Sequence, residues 1–208
     1  MRVDKPCQAG TVTALNKGQD LPLGANKLKR WEREVRLRDG TPARLRPIRP
    51  SDEPLLKELL ESCSEETIYK RFFLHMKFMS HATLHKLVRL DFAREAAVLA
   101  VVEWEGRERA VAVGRYVRER VRNFAEVAFL VQDDFQGRGV GTLLFENLMS
   151  IAREQGIEGF TADVLADNLP MLCIFHRGDC EAQQTLAANV YHLELRFKRD
   201  CAEAVKLT

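Results

Sequence analysis

The segment that most constrains this chain is Val131-Gln132-Asp133-Asp134-Phe135-Gln136-Gly137-Arg138-Gly139-Val140-Gly141-Thr142. An apolar run from Glu126 to Val131 precedes it and reads as a strand. Behind it, Val140 to Gln155 places Val140, Leu144, Leu148 and Ile151 on one helical stripe, and Gly156 stops the helix. Three glycines in five positions let the backbone approach a ligand closely and take unusual dihedrals. Their N–H groups, at the positive end of the following helix, would form a cradle for pyrophosphate. The segment lacks the Lys-Ser/Thr ending of a Walker loop and the G-x-G-x-x-G of dinucleotide folds. On its own it therefore fits either a phosphate cradle or a tight strand-to-helix turn.

The rest of the chain supplies a mixed α/β frame. Glu34 to Arg38 and Ala43 to Arg46 alternate around Asp39-Gly40, the pattern of a β-hairpin. Three helical segments follow. The first starts near Pro50-Ser51-Asp52-Glu53, with Ser51 as the expected cap and Leu55, Leu56, Leu59 and Leu60 inward. The second starts at Ser64-Glu65-Glu66-Thr67, and the third covers His81 to Leu90. Strands are expected over Ala96 to Val102, Ala110 to Val117 and Glu126 to Val131. After the glycine segment come helix Val140 to Gln155, strand Phe160 to Val164, helix Leu169 to Arg177 and strand Val190 to Phe197. Strands that run together and then alternate with helices indicate a mixed sheet flanked by helices.

With 208 residues, 46% of them apolar, one domain with a substantial core is expected over residues 31–200. Residues 1–30 show no sustained period and read as a flexible extension, and residues 201–208 as a short tail. The longest apolar run, Ala96 to Val102, is far too short to span a bilayer. No secretory signal is expected, and five cysteines without framework spacing suit a reduced, cytoplasmic setting. The net charge of +2 conceals an asymmetry: residues 1–50 hold 12 Lys or Arg against 5 Asp or Glu, and the remainder 20 against 25. The basic leading segment could meet nucleic acid or be a solvated tail. It has no interleaved aromatics for base stacking within residues 1–30, which favours the tail.

Two stretches together carry a family resemblance. Gln136-x-x-Gly139-x-Gly141, after a strand ending Phe129-Leu130-Val131, resembles the acetyl-CoA signature of the GNAT superfamily of N-acetyltransferases. Asp167-Asn168-Leu169-Pro170-Met171-Leu172-x-x-Phe175 resembles its second signature. Leu45 to Asp52, Ser64 to Phe73 and Ala125 to Phe129 are further similar to the bacterial Pat-type protein lysine acetyltransferases. The resemblance implies a GNAT fold, with acetyl-CoA as co-substrate at a splay between the fourth and fifth strands. It also implies a protein acceptor bearing a lysine, for example an acyl-CoA synthetase, and no metal.

Roles then follow by resemblance. Backbone groups of Gln136, Gly137, Arg138, Gly139, Val140, Gly141 and Thr142 would bind the pyrophosphate, with a hydroxyl from Thr142. Phe129, Leu130 and Val131 would present backbone groups to the pantetheine and polarise the thioester carbonyl. Asn168 would bond the pantetheine, and Arg177 is either a phosphate contact or a surface residue. Glu126 would be the general base, or else an exposed carboxylate at the start of its strand. A lysine amine, with a pKa near ~10.4, must lose a proton before attack, and a desolvated carboxylate with a raised pKa suits that task. Phe175 departs from the family, where many members carry a tyrosine as general acid.

Other constellations carry less. Cys173, His176 and Cys180 share helical spacing, but Gly178-Asp179 interrupts it and no fourth metal ligand follows. Six arginines from Arg107 to Arg122 could steer an acidic partner or form a solvated hairpin face. Two rival functions stay open: acetylation of a small amine, and an acyl-CoA sensor without catalysis.

Overall fold

A computed structural model describes residues 28–75 and 78–198. The expected extension over residues 1–30 lies almost wholly outside the described residues, as does the tail 201–208. Leu28 already packs against the core, so the folded body reaches at least three residues further back than Trp31.

Eight strands form one sheet: β1 (Arg33–Arg36), β2 (Pro42–Pro47), β3 (Glu95–Trp104), β4 (Arg107–Arg118), β5 (Phe124–Val131), β6 (Gly159–Leu165), β7 (Cys180–Ala187) and β8 (Val190–Phe197). Their order is β1-β2-β3-β4-β5-β6-β8-β7. Only β5 and β6 run parallel; every other neighbouring pair is antiparallel. Helices α1 (Glu53–Glu61), α2 (Glu65–Phe72) and α3 (His81–Val88) separate β2 from β3, α4 (Val140–Glu154) joins β5 to β6, and α5 (Leu169–Arg177) joins β6 to β7.

The unbroken apolar run of β3 has a direct cause. Ala96, Val98, Ala100 and Val102 enter one core with α4, whereas Ala97, Leu99 and Val101 enter a second core with α1 and α3. A strand covered on both faces has no solvent side to alternate with. The first core includes an aromatic chain in which Phe145 meets Phe175 edge-on at 5.3 Å and Phe160 meets Phe197 at 4.8 Å.

Two local expectations change. Ser51 does not cap α1; it lies in a 3-10 turn, Pro50–Asp52, and the turn is organised by Asp52 instead. The Asp52 carboxylate accepts from the Arg49 backbone N–H and pairs with Arg46 at 2.7 Å, and both partners are buried. Arg46 also donates to Glu108 at 2.9 Å, which ties β2 to β4. β7 has no counterpart among the expected elements. Seven of its eight residues are exposed, so it lacks the apolar alternation that marks a strand. It forms because β8 pairs with it along its whole length, through a turn in which Ala188 and Asn189 both take positive φ.

Candidate functional site

The site begins where the ladder between β5 and β6 stops. Their parallel register covers Phe124 with Gly159, Ala125 with Phe160 and Glu126 with Thr161, and no further pair follows. β5 stays paired with β4 up to Val131, and β6 with β8 up to Leu165. The two strands therefore diverge beyond Glu126 and open a V in the sheet. Counted along this chain the V lies between the fifth and sixth strands, where the resemblance implied the fourth and fifth. A narrow cavity in the V is bounded by Val127 to Phe129, Ala162 to Val164 and Phe175.

A cleft of about 270 Å³ continues from the V to the start of α4. Every expected cofactor-binding residue except Arg138 lines it: Phe129, Leu130, Val131, Gln136, Gly137, Gly139, Val140, Gly141, Thr142, Asn168 and Arg177. Gly139 caps α4 with φ +86°, a conformation that favours glycine, and provides no capping side chain. The first N–H groups of α4 thus keep their donor capacity, at the end where the helix dipole is positive. Gly141 allows α4 to approach α5: a Cβ there would stand 2.8 Å from the Ile174 Cδ1.

Arg138 has a different part. Its guanidinium pairs with Asp39 at 2.7 Å and lies over the Phe135 ring, while its carbonyl accepts from the Arg38 N–H at 2.9 Å. The residue fastens the glycine turn to the β1–β2 hairpin. Asn168 caps α5, its side-chain oxygen accepting from the Met171 N–H at 3.3 Å, which leaves the amide NH₂ toward the cleft wall it helps form. Arg177 is exposed at the last turn of α5 and lines the same cleft.

Glu126 stands at the apex of the V as the last residue of β5 with a partner in β6. It does not line the cleft, and it is exposed. The expected desolvation is therefore not found: Glu126 shares the face of Ala128 and Leu130, but it precedes the part of β5 that the helices cover. Phe175 is buried in the aromatic chain, touching the same packing as Phe129 and Phe145, so its ring supports the wall of the V.

The sequence reading missed one whole wall. Thr67, Lys70 and Arg71 of α2, with Arg38 of the hairpin turn, line the cleft opposite α4 and α5. Asp133 holds α2 in place. Its carboxylate accepts from the Ser64 N–H at 2.8 Å, the Ser64 hydroxyl at 2.7 Å and the Thr67 hydroxyl at 2.8 Å. The Gln136 amide then donates to Thr67 at 3.0 Å and to the Val131 carbonyl at 3.2 Å. Burial pushes the Asp133 pKa up, but these donors outweigh it and hold the carboxyl below its ordinary value. The Ser64-Glu65-Glu66-Thr67 stretch was visible as a helix start, yet its contact with Asp133 is 66 or more residues away in sequence.

Charge in the cleft is one-sided. Arg38, Lys70, Arg71 and Arg177 line it, and no Asp or Glu does. The arginines of β4 and its turn, by contrast, are largely engaged: Arg107 with Glu58, Arg115 with Glu95 and Arg122 with Glu119 and Glu194. Of the other three, Arg109 lies over the Trp104 ring and Arg118 donates to Asn123, so ion pairs engage half of the six. Among the described residues no group of three or more metal-ligating side chains converges. No helix among them is long and apolar enough to cross a membrane.

Comparison with known proteins agrees with this geometry. The model of the Acetyltransferase (GNAT) family matches residues 55–177. Acetyltransferase Pat of Mycolicibacterium smegmatis is 38% identical over 149 residues, which cover 69% of this chain and 42% of that protein. Acetyltransferase PA5475 of Pseudomonas aeruginosa is 31% identical over 120 residues, 58% of this chain and 64% of that one. The chain thus spans less than two thirds of the length of either relative. The crystal structure of the GNAT domain of S. lividans PAT superposes with a TM-score of 0.73 at 35% identity, covering 81% of this chain and 98% of that domain. The splayed sheet, the glycine turn at the start of α4 and these matches place the chain in the GNAT acetyltransferase family.

Proposed function

We propose that this protein transfers an acetyl group from acetyl-CoA to the ε-amine of a protein lysine, as in an acyl-CoA synthetase, with Glu126 as general base. The observation that carries the reading is the cleft itself: four cations, no acid, the unpaired N–H groups of α4, and an open strand edge leading to Glu126. A ligand with several phosphates and an amide-rich arm fits such a surface.

The residues divide the work along the cleft. N–H groups of Gly139 to Thr142 hold the pyrophosphate, with Arg38 and Arg177 flanking it. The β5 edge from Val127 to Val131, released from β6, bonds the pantetheine amides as a neighbouring strand would, and Asn168 adds its amide from α5. An N–H of this edge points its dipole at the thioester oxygen and stabilises the charge that grows there during attack. Glu126, at the closed end of the V, takes the proton from the incoming amine, directly or through water. The amine nitrogen bonds the carbonyl carbon, the carbon–sulfur bond breaks, and CoA leaves as the thiolate. Phe175 has no proton to give, so water protonates the thiolate. The exposure of Glu126 suits an acceptor that approaches from solvent, and a chemistry that needs acyl-CoA is at home in the cytoplasm.

Two measurements test the reading. Radiolabelled acetyl transfer to whole lysate, followed by mass spectrometry of the labelled bands, should place the label on lysine; label confined to small molecules rejects the protein acceptor. Glu126→Gln should bind acetyl-CoA normally and lose about 10²-fold or more in kcat, the scale of general-base catalysis. Unchanged turnover removes Glu126 from the role.

A further inference from the structure

Arg71 is the one cation at the inner end of the cleft that forms no ion pair among the described residues. Lys70 pairs with Glu66, and Arg115 pairs with Glu95 while donating to the Leu87 carbonyl at 3.3 Å. Arg71 lies over the neighbouring Phe72 ring, 4.7 Å from its centroid, and forms no ion pair. Burial and the repulsion of Arg115, offset in part by Glu126, lower its pKa to about 10, which leaves it charged at neutral pH. A half-buried guanidinium that touches no carboxylate, with Glu126 acting on it only from a distance, favours an anion that can reach it.

Its position says which anion. Arg71 borders three cavities: the main cleft, the narrow cavity in the V, and an apolar cavity of about 40 Å³ beside Ala128 and Leu130. Neither of the two smaller cavities includes any residue of the glycine turn, and both reach Ala128 on β5, on the side of Glu126. An acetyl group brings no charge there. The apolar cavity, which Arg115 also lines, holds about three or four groups of water size at about 10–15 Å³ each, enough for a short chain that ends on the Arg71 guanidinium.

We propose that Arg71 binds the terminal carboxylate of the acyl chain, so that thioesters of short dicarboxylic acids with CoA, of the malonyl or succinyl kind, are donors at this site. The inference rests on the acyl-CoA reading above and specifies its donor. The transfer is the same step with a longer chain. The lysine nitrogen bonds the thioester carbon, the carbon–sulfur bond breaks, and CoA thiol and an ε-acylated lysine result. The second carboxylate passes through unchanged, paired with Arg71.

Calorimetric titration of the full chain with CoA, acetyl-CoA and succinyl-CoA tests this without any acceptor. Succinyl-CoA should bind at least about tenfold more tightly than acetyl-CoA, a difference of about 1.4 kcal/mol. Arg71→Met should abolish that preference and Arg71→Lys should retain part of it, with thermal unfolding of both variants checking that the fold is kept. Equal or weaker binding of succinyl-CoA by the wild type overturns the inference and leaves the acyl-CoA reading in place. Failure of all three CoA species to bind overturns both.

Discussion

Asp133 offers a perturbation whose size follows from its contacts. It joins the start of the glycine segment to α2 through three hydrogen bonds of 2.7–2.8 Å, and Thr67 passes the connection on to Gln136. Hydrogen bonds to a charged group contribute about 1.5–3 kcal/mol each when desolvated. Asp133 is exposed, so water replaces much of what Asp133→Ala removes, and a total loss of about 1–2 kcal/mol is expected. At ~2–4 °C per kcal/mol for a domain of this size, Tm should fall by about 3–6 °C. Releasing Gln136 and the N-terminus of α2 should also weaken acetyl-CoA binding by about tenfold, or about 1.4 kcal/mol. The pH dependence is a sharper check. The folded pKa is lowered, so the stabilisation is complete above the unfolded value of about 3.9 and disappears as pH falls through the folded value. Thermal unfolding of wild type and variant across pH, with CoA titration at neutral pH, reads all three effects. An unchanged Tm and affinity at neutral pH, or a stability difference that persists in strong acid, refutes the argument.

Two further outcomes follow from the same wall of the site. Gly139→Ala forces a side chain into φ +86° and sets its Cβ 3.2 Å from Arg38 Cγ. A cost of about 1–2 kcal/mol and weaker CoA binding should appear together in unfolding and titration experiments; normal affinity would separate the turn from CoA recognition. Among the cysteines, Cys173 is exposed and lines the cleft, while burial, followed by the nearby Asp133 charge, pushes the Cys63 thiol up to about 12. Peptide mapping after iodoacetamide should find Cys173 modified well before Cys63, with acetyl-CoA protecting Cys173. The reverse order, or no protection, contradicts the assignment.

The parts legible in the sequence are those that short-range patterns specify. Helix α5 and strand β8 occur with the expected limits, and the glycine turn opens α4 at Val140 as read. The rest depends on partners distant in the chain. Ser51 looked like the better cap, but Asp52 takes over because Arg46 and the Arg49 N–H both require its carboxylate. β7 carries no pattern of its own, since β8 alone specifies it. Glu126 was recognisable as a residue, whereas its exposure depends on how far α2 covers β5. The α2 wall with Thr67, Lys70 and Arg71 was hidden for the same reason: a helical stripe gives the inward face but not what that face will meet.

The hairpin tie to Arg138 bears on where this domain can be cut. The family model starts at residue 55, after β1 and β2, and ends at residue 177, before β7 and β8. A fragment trimmed to those limits would lose Asp39 and the Arg38 N–H, the two partners that fasten the glycine turn through Arg138. It would also bare β3 and β6 as new sheet edges, with their backbone donors and acceptors open to pairing between molecules. A piece that keeps both the fold and the tie at the glycine turn therefore needs the β1–β2 hairpin before residue 55 and β7 and β8 after residue 177. The limits of the family model enclose the cleft, and the strands outside those limits hold it in shape.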